Sequence, residues 1–222
     1  DSAKVSDGEL EMAIKLISQK DPNDEAIEGF KKIMNWPNEK LFPVLDVMRL
    51  SVRNAEFCRK VGTSELLEFI VLRILTNAAN QLMSIRALCN LMTHKIGRDL
   101  IHKKLNDIMT LISSIQQGTA NLQNAIATFY LSQSIAQKEL PSDDLCRMIC
   151  IEIVQFLEWA SDPEATYRSY LALGNFVAFN SQETTQILRA AKVLKDGLKS
   201  NKNSPHQKLA EISSELSDKL ML

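Results

Sequence analysis

Polar residues recur in this chain at a spacing of 42 or 43 positions, each inside a segment whose apolar residues follow helical periodicity. Asn90 lies in NQLMSIRALCNLM, Ser132 in AIATFYLSQSIA and Asn175 in PEATYRSYLALGNFVAF. A further step of 42 back from Asn90 reaches Met48, beside Arg49, in KLFPVLDVMRLSV. One residue before these four points stand Val47, Cys89, Leu131 and Gly174, and three before stand Leu45, Ala87, Phe129 and Ala172. All eight are apolar or small, which suits packing against neighbouring helices. A period of this length in helical sequence marks a repeat of two or three helices, so the expected fold is an all-α, armadillo-like solenoid.

The period also predicts a surface. Arg86 and Asn90 are four apart and Arg168 and Asn175 seven apart, so each pair shares one helix face. One polar point per repeat would line a concave groove with hydrogen-bonding groups able to hold an extended peptide. Each residue also has a plainer explanation. Arg86 could pair with a neighbouring carboxylate, a contact worth only about 0–1 kcal/mol at a surface, and a mid-helix asparagine could cap an adjacent helix end.

With 222 residues the chain can bury a real core as one domain or one continuous array, and only 7 of them are glycine. Alternating apolar and polar runs are scarce, which argues against a sheet protein. A formal charge of −1 gives no global attraction to nucleic acid or to an anionic membrane. No apolar run approaches the roughly 18 residues that span a bilayer, and the N-terminal DSAKVSDGELEM is polar rather than signal-like. The expectation is a soluble protein and, as the first residue is not methionine, the C-terminal piece of a longer one. Cys58, Cys89, Cys146 and Cys150 lie in apolar helical contexts, which fits buried thiols in a reducing compartment. Cys146 and Cys150 share a helix face and could begin a metal site, but no histidine is near them in sequence.

In chain order, helices are expected over residues 9–19, from Asp24 as cap to about Met34, and over 40–52 with Pro43 in the first turn. The next repeat holds 56–60, 64–75 with Ser64 as cap, and the Arg86 helix; the third holds 98–103, 105–115 and 121–136. A long helix over 142–159 precedes 163–179, then 184–198 and a last helix over 207–220 whose charged face suits a terminal cap. No linker divides these segments into separate domains.

Three blocks, WPNEKLFPVLDVMRLSV (36–52), ANQLMSIRALCN (79–90) and EATYRSYLALGN (164–175), resemble the PUL domain, a C-terminal armadillo-like domain. The resemblance covers nearly the whole chain in order and is weakest before Asp21. It implies a non-catalytic binding module for the acidic, tyrosine-containing C-terminal tail of the AAA ATPase valosin-containing protein. It further implies a role in ubiquitin-dependent protein handling, in the cytoplasm and also the nucleus, with no cofactor and a monomeric domain. For such a tail, Arg49, Arg86 and Arg168 would pair with carboxylates, while Asn90 and Asn175 would donate to and accept from the peptide backbone. Family patterns often carry asparagine where Ser132 stands, so that rung reaches less far. Tyr130, Phe129 and Tyr167 are the candidates for an aromatic pocket. The alternative is a helical scaffold for a different acidic peptide or protein.

Two basic clusters, His94, Lys95, Arg98, His102, Lys103 and Lys104, and then Lys192, Lys195, Lys199 and Lys202, are by default solvated surface; the first could steer an acidic tail. Neither is interleaved with the aromatics that base stacking requires. No nucleophile elbow, phosphate-binding glycine loop or zinc-protease motif occurs, and the three histidines lack partners at catalytic spacing, so no enzyme is expected.

Overall fold

The computed structural model describes residues 7–18, 21–139, 141–179 and 182–222. Among the described residues every regular element is helical. The first compact unit, Asp1–Ile108, contains α1 (Asp7–Ser18), α2 (Asp24–Met34), a 3-10 turn (Asn38–Lys40), α3 (Phe42–Ser51), α4 (Ala55–Val61), α5 (Thr63–Leu72), α6 (Ala78–Leu91) and α7 (Lys95–Lys103). The second unit, Met109–Leu222, begins within α8 (Leu105–Ser113) and continues with α9 (Ala120–Ala136), α10 (Asp143–Trp159), α11 (Pro163–Phe179), α12 (Gln182–Ala190), α13 (Lys192–Asn201) and α14 (Gln207–Leu220).

Helix starts follow from side chains that accept the first free backbone N–H groups. Asn23 caps α2 through Ala26 N, Asn77 caps α6 through Asn80 N, and Ser142 caps α10 through Leu145 N. Asn23, not the expected Asp24, holds the α2 cap, because the cap residue must itself be extended and Asn23 has ψ 160°. At α5 the cap is Gly62 rather than Ser64: its φ of +98° is a turn that a side chain would strain, and the helix begins as soon as that turn is made. The expected end of the first helix at Gln19 lies outside the described residues.

In the first unit α3 packs on α6, α1 on α2 and α3, and α4 on α2, α5 and α7. Phe30 of α2 meets Phe57 of α4 edge to face, with ring centroids 5.3 Å apart. In the second unit α9 lies along α11, α10 carries α12 and α13, and α14 packs on α11 and α13. Leu209, Ile212, Leu216 and Leu220 form the buried stripe of α14, as the terminal-cap expectation requires.

The helix expected over 184–198 is two helices, broken at Ala191 where ψ is 109°. The buried pairs Thr184/Leu188 and Leu194/Leu198 are each four apart, but six residues separate Leu188 from Leu194. In one continuous helix those leucines would point about 120° apart. The break lets each pair turn inwards, in a unit where α12 packs on α10 and α13 packs on α14 and α10, and no glycine or proline announces it.

Side-chain bonds between successive helices repeat at near-constant separation. In the first unit Lys60 reaches Asp21, Asn80 reaches the Asn38 carbonyl and Asn90 the Arg49 carbonyl, at separations of 39, 42 and 41 residues. In the second unit Asn124 bonds Asp162, Arg168 bonds Thr128 and Asn175 bonds Ser134, at 38, 40 and 41. The period legible in the sequence is therefore the distance from one repeat to its neighbour.

Candidate functional site

The register of the polar points is set by what lies beneath them. Leu45, Ala87, Phe129 and Ala172, three residues before each point, are all fully buried. A residue three positions on is nearly one turn further, displaced enough to stand at the edge of the core. Asn90, Ser132 and Asn175 occupy that edge and are half-buried. Met48, the strict-register position in α3, is instead completely buried, so the polar contribution of α3 comes from its neighbour Arg49.

In the first unit, Asn90 donates its side-chain N–H to the backbone carbonyl of Arg49, tying α6 to α3. The Arg49 guanidinium donates through Nε to Asp46, and both Nη groups are left without a partner among the described residues. Arg86, one turn before Asn90, is half-buried and has neither ion pair nor hydrogen bond among the described residues. A guanidinium without an anion is an unfilled half of a charge-assisted pair.

The second unit is arranged differently. Arg168 donates through Nε to Glu164 at 2.8 Å and through Nη1 to the Thr128 hydroxyl on α9. Thr128 in turn donates to the Asn124 carbonyl at 2.6 Å. Ser132 donates to the Thr128 carbonyl at 2.8 Å, and Asn175 donates to the Ser134 hydroxyl at 3.0 Å. Thr128 and Ser134, which sequence reasoning did not single out, are the partners that fix Arg168 and Asn175. The signal was present: Thr128 stands 42 residues after Arg86, in the same register.

These contacts use part of the hydrogen-bonding capacity of the asparagines. One N–H of each amide is engaged between helices, while the second N–H and Oδ1 of Asn90 and of Asn175 have no partner among the described residues. Each therefore still offers one donor and one acceptor group to a peptide backbone.

The aromatic candidates Phe129 and Tyr130 are buried in the core, because α9 turns that face towards its neighbours; only Tyr167 is half-exposed. The first basic cluster is largely neutralised or structural. Lys95 pairs with Asp99, holding that carboxyl below its usual range, and Lys104 pairs with Asp107. His94 accepts Gly97 N–H at Nδ1, 3.1 Å, as the cap of α7, and its Nε2 lies 2.8 Å from the Val52 carbonyl, to which it donates. Lys192, Lys195, Lys199 and Lys202 are exposed.

Cys58, Cys146 and Cys150 are buried, and burial pushes the Cys58 thiol up to about 12 and the Cys150 thiol up as well. Among the described residues no cluster of histidine, cysteine and carboxylate side chains could hold a metal, and no helix is long and apolar enough to cross a membrane.

Comparison with known proteins places this geometry in a family. Phospholipase A-2-activating protein of Xenopus laevis is 26% identical over 162 residues, covering 69% of this chain and 20% of that protein. Ubiquitin fusion degradation protein 3 homolog of Caenorhabditis elegans is 27% identical over 142 residues, 54% of this chain and 16% of that protein. The chain thus spans a fifth or less of the length of these relatives. Two crystal structures of engineered proteins from the Northeast Structural Genomics Consortium match with TM-scores of 0.72 and 0.70 at 13% identity. They cover 98% and 94% of this chain and 94% and 88% of their own chains, a likeness of fold alone. The family profile described as PUL domain matches residues 2–215, and the chain belongs to that family.

Proposed function

We propose that this chain is a non-catalytic adaptor module that binds the acidic, tyrosine-containing C-terminal tail of the AAA ATPase valosin-containing protein, in ubiquitin-dependent protein handling in the cytoplasm and nucleus. The proposal takes residues 1–222 as one PUL-type domain, which the family match over 2–215 supports. The name of one relative, ubiquitin fusion degradation protein 3 homolog, supports the pathway.

The observation that carries the proposal is Arg86. The residue is half-buried and its guanidinium is unpaired among the described residues, one turn from Asn90, whose own amide donates to α3. A tail carboxylate supplies the missing anion, the free Arg49 Nη groups a second contact, and Asn90 Oδ1 an acceptor for a tail N–H. In the second unit Ser132, Arg168 and Asn175 offer a further polar set, in which Arg168 already has anionic and hydroxyl partners. The tail loses chain entropy on ordering, so affinity is expected at roughly micromolar, about 8 kcal/mol.

Calorimetric titration with the last ten or so residues of the ATPase tests this. Saturable one-to-one binding that disappears when the tail's acidic residues are replaced by their amides is the expected result. Absence of heat with the native tail overturns the partner; binding of an unrelated acidic peptide in its place would favour a scaffold for a different acidic ligand.

A further inference from the structure

In the second unit a cleft of about 590 Å³ opens beside α8, α9 and α10. Its lining includes Tyr130, Phe156 and Trp159, with the carboxylates of Glu152 and Glu158 and the amide of Gln155. No cationic side chain lines it among the described residues. The three rings form an edge-to-face row, with centroids 5.7 Å apart for Tyr130 and Phe156 and 4.9 Å for Phe156 and Trp159.

Tyr130 is the informative member. It is only 1% exposed, yet its hydroxyl has no hydrogen-bond partner among the described residues. Tyr130 lines the cleft, so a ligand there can supply the partner that the hydroxyl lacks. Burial, and secondarily the Glu152 carboxylate, raise its ionisation above the ordinary phenol range, so the group is a neutral hydroxyl. Glu152 is held in place by the Ser113 hydroxyl, which donates to it. Two carboxylates, an unpartnered hydroxyl and an aromatic wall form a set of acceptors with a π-face, and the site holds no charge of its own to balance them.

We infer that this cleft binds the guanidinium of an arginine side chain presented by a partner peptide. A planar guanidinium can stack on the Trp159 indole while its N–H groups donate to Glu152, Glu158 and the Tyr130 hydroxyl. The cleft exceeds one side chain in volume and so admits flanking peptide residues. Tyr130 and Ser132 are two residues apart on α9, roughly 200° around the helix, so the cleft lies on the opposite side of that helix from the polar point. The ligand is also opposite in charge to an acidic tail, so the two sites are separable.

The test is an NMR titration of the ¹⁵N-labelled chain with N-acetyl-Gly-Arg-Gly-amide, beside the same peptide carrying the neutral isostere citrulline. The Trp159 indole N–H, identified by its loss in Trp159→Phe, should shift saturably with the arginine peptide and not with citrulline, while Trp36 stays in place. Glu158 is exposed, so Glu158→Gln keeps the fold and should weaken binding by about tenfold. Equal shifts with citrulline, an unmoved Trp159, or full affinity in Glu158→Gln would each overturn the inference.

Discussion

Arg86 and Arg168 look alike in sequence, yet the structure predicts opposite outcomes for their alanine variants. Arg86 has no partner among the described residues to lose, so Arg86→Ala should change stability by less than about 0.5 kcal/mol, like an ordinary surface substitution. Arg168→Ala removes an i,i+4 pair with half-exposed Glu164, about 0.3–0.5 kcal/mol, and a hydrogen bond to Thr128, about 0.5–1.5 kcal/mol. The Thr128 hydroxyl still donates to the Asn124 carbonyl, so no donor is stranded and the loss stays near 1–2 kcal/mol. At about 2–4 °C per kcal/mol for a chain of this size, Tm should fall by about 2–8 °C for Arg168→Ala and hardly move for Arg86→Ala. Binding should show the reverse order. If Arg86 meets a tail carboxylate, its loss costs about 1.5–3 kcal/mol, roughly 10- to 150-fold in Kd. Thermal melts and calorimetric titrations on both variants decide the matter. An Arg86→Ala variant that melts as low as Arg168→Ala, or that binds the tail undiminished, would show that Arg86 is not a free anion-binding group.

Three further outcomes follow from the packing. A Cβ on Gly97 would sit 1.9 Å from the Leu91 carbonyl oxygen, a backbone atom that cannot yield, whereas one on Gly29 meets open space in mid-helix. Gly97→Ala should therefore cost about 3 kcal/mol or prevent folding, and Gly29→Ala should stabilise by about 0.5–1 kcal/mol; urea melts that rank them equally would contradict this. His94→Ala loses the α7 cap and the bond to Val52, about 2 kcal/mol together, with tail affinity unchanged; lost affinity at intact stability would show that the ring serves binding instead. Burial raises the Cys58 thiol from 9.0 to about 12, so its contribution to stability is complete below pH 9 and is lost as pH climbs through about 12. Urea melts between pH 8 and about 11 should show a shallower alkaline decline for Cys58→Ala than for the native chain, and identical slopes would exclude burial of this thiol as a cause.

Much of the helix order was legible because its signals are local. Ser142 before α10 and the stripe of α14 were visible in a few residues each, and the last helix runs from Gln207 to Leu220 as expected. The features that escaped depend on a neighbour. Only the neighbouring helices α10 and α14, against which two apolar pairs out of helical phase are buried, explain the break at Ala191. Only the Val52 carbonyl at the end of α3 explains why a histidine opens α7. The 42-residue period marks a repeat, but spacing cannot say whether a polar group bridges two helices or faces a ligand, because both uses require the same register.

That ambiguity resolves atom by atom. Asn90 and Asn175 do both jobs: one N–H joins repeats, while the second N–H and the carbonyl oxygen remain open among the described residues. Truncating either one therefore loosens the helix pair and removes an acceptor together, so an alanine variant of an asparagine cannot separate the roles. Arginine can, because the two units use it differently. Arg168 is held between Glu164 and Thr128, so a ligand anion reaching its remaining Nη2 shares the guanidinium with an existing carboxylate. Arg86 meets no such competitor among the described residues, so a carboxylate arriving there gains the charge-assisted bond without breaking one. If this chain recognises an acidic tail, the first unit should supply most of the charge recognition, and the salt dependence of binding should shrink far more in Arg86→Ala than in Arg168→Ala.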